Sequence, residues 1–469
     1  MSTSNQLTTH TVTNFERSDL YRAEIHSLIA GGAHTYSKGD DQFPVRSPAA
    51  IVKGKHGRVW DLDGNEYVDC GLALSAISLG HAYEPVLAAV REQLELGAAF
   101  TRPADIERDL ARDMLSILPG MERLKFAKNG SNVTSAAVRL ARAFTGRDYV
   151  AFPKSHPFFS FDDWFIGSTL TRAGIPSASL KMSLRYDFND PDSLARLFKE
   201  FPDQIACVIT EPEEINPGPP DFLRAVQDIT RANGAIFILD EMVTGFRAGF
   251  PGYYTEHGLT PDLTTWGKGI GNGFSFCALA GRADIMDLGG IKQKPDPRVF
   301  LLSSTHGGEA HSLAAARVVI DIFKTQDVIG RHRQIISELA DGMKRLITAR
   351  NLESHVQLWV SSWRIIVLTL DVNGKADSTL RTLFCQEMIG HGVLTQGSFL
   401  PCFTHTDADI AQILLGFEKA CDVLNYAIQH GVDDLLVGPA ARPVFRKYNG
   451  CTEICPATPC PNEQRCKHA

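Results

Sequence analysis

No stretch of this sequence approaches the roughly 20 consecutive apolar residues that a membrane-spanning helix requires. The first fifteen residues, rich in Ser, Thr and Asn, hold no apolar run of the kind a secretory leader carries. A cytoplasmic protein is therefore expected. Net charge is scarce as well: 47 Lys and Arg against 54 Asp and Glu leave −7 over 469 residues. With no basic stripe, recognition of nucleic acid by counterion release has nothing to start from. Internal repeats and low-complexity blocks are also missing ahead of the tail, which argues against solenoid and linker architectures.

The ten cysteines lack the paired C-x2-C knuckles of a zinc site. Cys70, Cys207, Cys277, Cys385, Cys402 and Cys421 are scattered and read as buried or semi-buried thiols. Cys451, Cys455, Cys460 and Cys466 follow a C-x3-C-x4-C-x5-C spacing among prolines, so residues 451–469 read as a flexible appendage and no metal site is expected. What remains is ordinary: 44% apolar and 22% charged residues suit a soluble globular chain. Its length fits a large domain with a smaller companion.

Hydrophobic patterning gives an α/β reading. Residues 206–210 and 235–239 are short buried strands flanking a helical pattern over 220–232, a βαβ unit and hence a parallel sheet. A second join occurs where the strand at 124–127 meets Asn129-Gly130-Ser131. There Val133, Ala137, Leu140, Ala141 and Phe144 recur at helical spacing, so this turn opens a helix. From about Val328 the pattern becomes helix, then a strand at 364–370, then helix over 407–429, a smaller α+β unit. The expected division is an N-terminal segment 1–75 contributing to the small domain, a large domain 76–327, a C-terminal small domain 328–450 and the tail.

Four short elements carry chemistry. Asp240 and Glu241 end a buried strand, where ligands of open α/β sheets bind. A cation about 4 Å from Asp240 gains roughly 4 kcal/mol at an effective dielectric near 20, about 3 pKa units. Read singly, such an Asp is as readily a helix cap or a salt bridge. Downstream, Lys268 lies between Gly267 and Gly269 in an apolar, turn-rich segment. Glycines permit close approach to a ligand, and burial favours the neutral amine that condenses with an aldehyde. Asn129-Gly130-Ser131 offers free N–H groups, a hydroxyl and a helix dipole to a phosphate. Ser303-Ser304-Thr305-His306-Gly307-Gly308 is another hydroxyl and glycine cluster.

In this order the four elements resemble the class III (ω-type) aminotransferases of pyridoxal 5′-phosphate (PLP) fold type I, in particular the glutamate-1-semialdehyde aminomutase-like branch. The most specific stretches are Gly57 to Asp69, Leu239-Asp240-Glu241-Met242-Val243-Thr244-Gly245-Phe246-Arg247 and the Lys268 segment. The resemblance implies a large domain with a mostly parallel sheet flanked by helices, and a smaller α+β domain. It implies that Lys268 holds PLP as a Schiff base, that Asp240 pairs with the pyridine nitrogen, and that Asn129, Gly130 and Ser131 form the phosphate turn. Val243 joins the cofactor-binding set, and Glu211, before Pro212, organises the site around the ring. Thr305 matches a threonine that reaches the phosphate of the neighbouring subunit's cofactor, so a homodimer with shared active sites is implied.

The chain departs from that pattern in places. Phe158 stands where the family has an aromatic residue stacked on the ring, with His156 as the alternative. Thr35-Tyr36-Ser37-Lys38 replaces the N-S-P-V-R segment of the aminomutases, and residues 272–276 replace their G-G-G-L-P. The expected activity is transfer of an amino group between an amine or amino-acid donor and an aldehyde or ketone. Aminomutase and racemase chemistry are the alternatives, and a non-catalytic homologue is disfavoured by Lys268 and Asp240 together. Arg46, Arg102 and Arg364 are possible anchors for a substrate carboxylate.

Overall fold

The computed structural model describes residues 10–156, 158–169, 171–213, 221–292 and 296–441. The N-terminal part supplies helix α1 (Glu16–Leu28) and an antiparallel meander, β1 (Ile51–Lys55), β2 (Arg58–Asp61) and β3 (Glu66–Asp69). Asp61 shapes the β2–β3 turn, its Oδ1 accepting the N–H groups of Asp63 and Asn65 at 3.0 and 2.8 Å. Helices α2 (Glu84–Leu96) and α3 (Asp105–Ile117) follow.

Seven strands then build one sheet: β4 (Arg123–Ala127), β5 (Tyr149–Pro153), β6 (Ser183–Tyr186), β7 (Ile205–Thr210), β8 (Ile236–Asp240), β9 (Leu263–Trp266) and β10 (Cys277–Gly281). Their spatial order is β4-β10-β9-β8-β7-β5-β6. Strand β10 runs antiparallel to both neighbours, and the other pairs are parallel. Every residue of β7 and β8 is buried. Their side chains alternate between two cores, Val208, Phe237 and Leu239 in one and Cys207, Ile209, Ile236 and Ile238 in the other. Burial on both faces is what parallel strands need, because crossover helices cover each side.

Helix α4 (Gly130–Thr145) joins β4 to β5 and puts Val133, Ala137, Leu140 and Ala141 into the second core. Helix α5 (Phe222–Ala232) joins β7 to β8 and puts Phe222, Leu223 and Val226 into the first. Helix α6 (Ala310–Thr325) packs on α2 and α3. Beyond it come α7 (Val328–Thr348), β11 (Val356–Val360), β12 (Ile365–Thr369), α8 (Ser378–Gly390), β13 (Val393–Leu394), β14 (Ser398–Phe399) and α9 (Asp407–His430). Strands β11, β12 and β14 form an antiparallel sheet. A further core gathers Ile335, Phe384, Phe399 and Phe417 and takes in Val68 and Cys70. Strand β13 pairs with β3, Val393 opposite Val68, so the meander and the C-terminal part share a sheet.

The strands expected at 124–127, 206–210 and 235–239 occur within one residue of those bounds. The helix expected from 220 begins at Phe222, and Pro220 itself lies outside the described residues, as does the whole cysteine tail. Helix α8 with β13 and β14 was not anticipated, since its apolar residues are spread around the helix. The six described cysteines are all free and buried. No described helix is long and apolar enough to cross a membrane.

Candidate active site

The C-terminal ends of β7 and β8, the turn after β9 and the first turn of α4 converge on one cavity of about 680 Å³. Of the residues singled out in the sequence, Asn129, Gly130, Ser131, Phe158, Glu211, Asp240, Val243 and Lys268 all line it. Thr305 does not: it is exposed and lines a separate cavity with Arg102 and residues 98–104. His156 is also outside. Its Nε2 accepts the Glu211 N–H at 3.1 Å and lies 3.1 Å from Thr210 Oγ1, and burial pushes its pKa down to about 3, so the ring is neutral.

Asp240 owes its setting to strand register. It is paired with Thr265 across β8 and β9, and the Thr265 hydroxyl donates to Asp240 Oδ1 at 2.6 Å. The Met242 N–H donates to the same oxygen at 2.9 Å, which leaves Oδ2 to the cavity. Burial raises the carboxyl pKa, and the two hydrogen bonds and Lys268 oppose that rise. A buried carboxylate of this kind calls for a cation beside it.

Lys268 stands two residues past β9 at φ +44°, left-handed backbone that a non-glycine residue adopts at some cost. Burial lowers its pKa, with Glu211 and Asp240 opposing and Arg247 reinforcing the shift. The turn can form only because of Gly267. A Cβ there would stand 2.4 Å from Met242 Sδ and 2.7 Å from Cys277 Sγ. Asn272 fixes the far side of the turn, its Oδ1 accepting the Ser78 and Leu79 N–H groups and its Nδ2 donating to Gly80 O.

At the other end of the cavity, Asn129 caps α4, its Oδ1 accepting the Asn132 N–H at 3.0 Å. The first N–H groups of a helix have no intrahelical acceptor, so Gly130 and Ser131 present donors and the positive end of the dipole to an anion. Ser131 Oγ in turn accepts the Phe161 N–H at 3.1 Å, which ties the aromatic segment to this turn. An anion-binding helix start, a buried acid and a buried amine within one cavity fit the phosphate, ring nitrogen and aldehyde of PLP.

Sequence reasoning missed several walls of this cavity. His34, Thr35 and Tyr36 close one side; the signal was Gly31-Gly32, which takes φ +78° and +73° and turns the chain back toward the sheet. Met242 and Cys277 pack sulfur against sulfur at 3.9 Å beneath the lysine turn. Glu241, the other member of the acidic pair, faces away. It accepts the Tyr254 N–H and the Thr244 hydroxyl, and burial pushes its pKa up to about 7.

Comparison with known proteins agrees with this geometry. The profile of the family "Aminotransferase class-III" matches residues 40–189 and 173–421. The chain is 30% identical over 429 residues to a glutamate-1-semialdehyde 2,1-aminomutase of Methanocella arvoryzae, covering 85% of this chain and 96% of the relative. It is 31% identical over 433 residues to the enzyme of that name from Syntrophomonas wolfei, covering 85% and 98%. Among solved structures it resembles an omega-transaminase from Sphaerobacter thermophilus, with a TM-score of 0.79, 22% identity, and 88% and 100% of the two chains covered. A glutamate-1-semialdehyde-aminomutase from Pseudomonas aeruginosa gives 0.76 and 22%, with 87% and 94% covered. The chain therefore belongs to the class-III aminotransferases, PLP-dependent enzymes with the α/β architecture of fold type I.

Proposed function

We propose that this protein is an aminotransferase that moves an amino group between an amine or amino-acid donor and an aldehyde or ketone acceptor. The observation that carries the reading is the convergence of Lys268, Asp240 and the open start of α4 on one cavity. When bound, PLP supplies an aldehyde for amines to condense with and a protonated ring that draws off charge from the substrate carbon. Gly130 and Ser131 would hold its phosphate through N–H groups, with Asn129 keeping the helix start in shape. Phe158 and Val243 would cover the ring, and Asp240 Oδ2 would keep the ring nitrogen protonated.

Lys268 is the residue placed to move a proton. Its pKa is lowered by burial, which raises the fraction of free amine that can accept a proton at Nζ and return it. Glu211, at the end of β7, raises the Lys268 pKa in opposition, so the amine sits between two opposing influences. Thr305, remote from this cavity within one chain, is assigned to the cavity of a second copy in a homodimer. The division into a small domain from 1–75 and 328–450 around a large domain from 76–327 belongs to the same reading, as does a cytoplasmic location.

The main alternative is an intramolecular aminomutase, favoured by the names of the curated relatives. Against it stand Thr35 and Tyr36, which line the cavity and belong to the segment that replaces the aminomutases' substrate-recognising N-S-P-V-R. Of Arg46, Arg102 and Arg364, none lines the cavity, and Arg364 is the one that interacts with Glu211 of the cavity wall, which makes it the candidate for a substrate carboxylate. Its guanidinium stacks 4.8 and 4.6 Å from the rings of Trp359 and Trp363, its buried Nε has no partner, and Glu211 and Glu213 share its field.

The test is the visible absorbance of the purified protein through a panel of amino donors. Bleaching by a donor, and recovery with an added keto acid or aldehyde, is expected of the wild type and not of Lys268→Ala. Conversion of a single amino-aldehyde substrate with no external acceptor would give the aminomutase reading instead.

A further inference from the structure

Outside the residues that line the cavity, helix α8 carries Glu387 near its end and His391 at its C-cap. The spacing of four places both on one helical face. The chain start crosses this face. Thr11 and Val12 donate their N–H groups to Gly390 O at 2.9 and 3.0 Å, and His10 Nε2 lies 2.7 Å from Glu387 Oε2. The His10 and His391 rings meet edge to face, centroids 5.6 Å apart. Gly390 is what lets the His10 ring lie here, since a Cβ at that position would come within 2.5 Å of the His10 Cδ2.

Two features of this cluster are costly as they stand. Glu387 is fully buried, its carboxyl met by the His10 ring at 2.7 Å and by one further contact, from Gln386 Nε2 to its Oε1 at 3.2 Å. His391 is 8% exposed, and its Nε2 is buried with no hydrogen-bond partner. An unpaired buried nitrogen is costly, and a buried carboxylate is more so unless matched by positive charge. One cation bound by all three residues would remove both costs.

We propose that His10, Glu387 and His391 form a binding site for a divalent transition-metal ion, with zinc as the best match. One ligand atom from each lies within 4.8 Å of the other two. A tetrahedral ion with bonds of about 2.0–2.1 Å sets its ligands roughly 3.4 Å apart, so closure asks each side chain for a shift on the order of 1 Å. Two imidazoles and one carboxylate suit zinc and disfavour magnesium and calcium, which select all-oxygen shells. Three protein ligands leave one position for water. The apolar residues Val12, Phe15, Tyr67 and Ile389 cluster against this segment of chain, and a low dielectric strengthens the attraction between ion and carboxylate. The ion would pin the segment from His10 to Val12 to α8 and serve stability, because none of its three ligands lines the Lys268 cavity.

The experiment uses the untagged full chain with Cys451, Cys455, Cys460 and Cys466 changed to Ser, so that tail thiols do not compete. After dialysis against a chelator, zinc is titrated in competition with a chromophoric indicator. One equivalent should bind, and His10→Ala and His391→Gln should each weaken binding by about a hundredfold or more, the upper range for loss of a metal-site partner. Both variants should keep the visible cofactor band, which shows that they fold. Zinc should also slow protease cleavage ahead of Phe15 in the parent and not in the variants. No retained zinc, or equal affinity in parent and variants, overturns the proposal and leaves His10 and Glu387 as an ordinary hydrogen-bonded pair.

Discussion

Arg247 offers the sharpest test of how the site is held. It is 1% exposed and follows the Asp240 loop, and among the described residues its hydrogen bonds all go to backbone carbonyls. It donates to Ser75 O through Nε and Nη2 at 3.2 and 2.9 Å, to Pro401 O through Nη1 at 3.4 Å, and to Ile77 O through Nη2. Burial pushes its pKa down to about 10, so it remains charged at neutral pH. The carbonyls it gathers belong in part to an unusual turn: Leu72, Ala73, Leu74 and Ser75 all have φ between +44° and +70°. Left-handed backbone costs non-glycine residues about 1–2 kcal/mol each, so this turn opposes folding by several kcal/mol. Arg247→Leu orphans two buried acceptors and the half-buried Ser75 O, at about 1–3 kcal/mol apiece, offset by turn relaxation and by removal of a buried charge. The expected net loss is about 3–5 kcal/mol, a fall in melting temperature on the order of 3–5 °C for a chain of this size. Thermal unfolding followed by circular dichroism measures it, with Arg247→Lys expected to fall between. A shift below about 2 °C for Arg247→Leu would refute the reasoning, because the carbonyls would then have other donors.

Three further outcomes follow from the geometry. Gly267→Ala forces Met242 and Cys277 away from the lysine turn; turnover should fall about a hundredfold, as for a displacement near 1 Å at a reacting group, and unchanged turnover would show the close approach to be dispensable. The Glu241 carboxyl is raised by burial from 4.5 to about 7, so between those values the folded chain keeps a proton that the unfolded chain has released. Wild-type stability should therefore decline as pH rises from 4.5 to 7. Glu241→Gln should flatten that decline by up to about 3 kcal/mol, and denaturation at pH 5 and pH 8 would expose a difference that does not change with pH. Arg364→Leu should raise KM for carboxylate-bearing donors by roughly ten- to a hundredfold with kcat little changed, the worth of a hydrogen bond to a charge; equal effects on donors with and without a carboxylate would remove Arg364 from recognition.

The strands that frame the site were legible because burial on both faces leaves continuous apolar runs, as in β7 and β8. The cavity-lining Lys268 and Asp240 were legible because a lysine between glycines and an aspartate at a buried strand end are poor choices for a surface. What stayed hidden depends on contacts distant in sequence. Thr265 matters only because β9 pairs with β8 in a register that sets it opposite Asp240, and periodicity does not reveal register. His34 and Tyr36 reach the cavity by a turn at Gly31 and Gly32 whose direction follows from packing. Helix α8 escaped notice because ten of its thirteen residues are buried all round, which erases the amphipathic stripe.

The reversed strand β10 also sets a timetable. Until residues 277–281 slot between β4 and β9, both of those strands present open edges, and the Cys277 wall of the cavity does not exist. About 150 residues separate the end of β4 from the start of β10. At roughly 5–20 residues per second of synthesis, β4 waits about 8–30 s for its partner on the ribosome. During that interval β4 is an unpaired edge, guarded only by Arg123 and Lys125, and pairing across so long a loop is slow to form. Cofactor capture is then a late event in the life of each new chain, and chaperones that shield strand edges act before PLP has a site to enter.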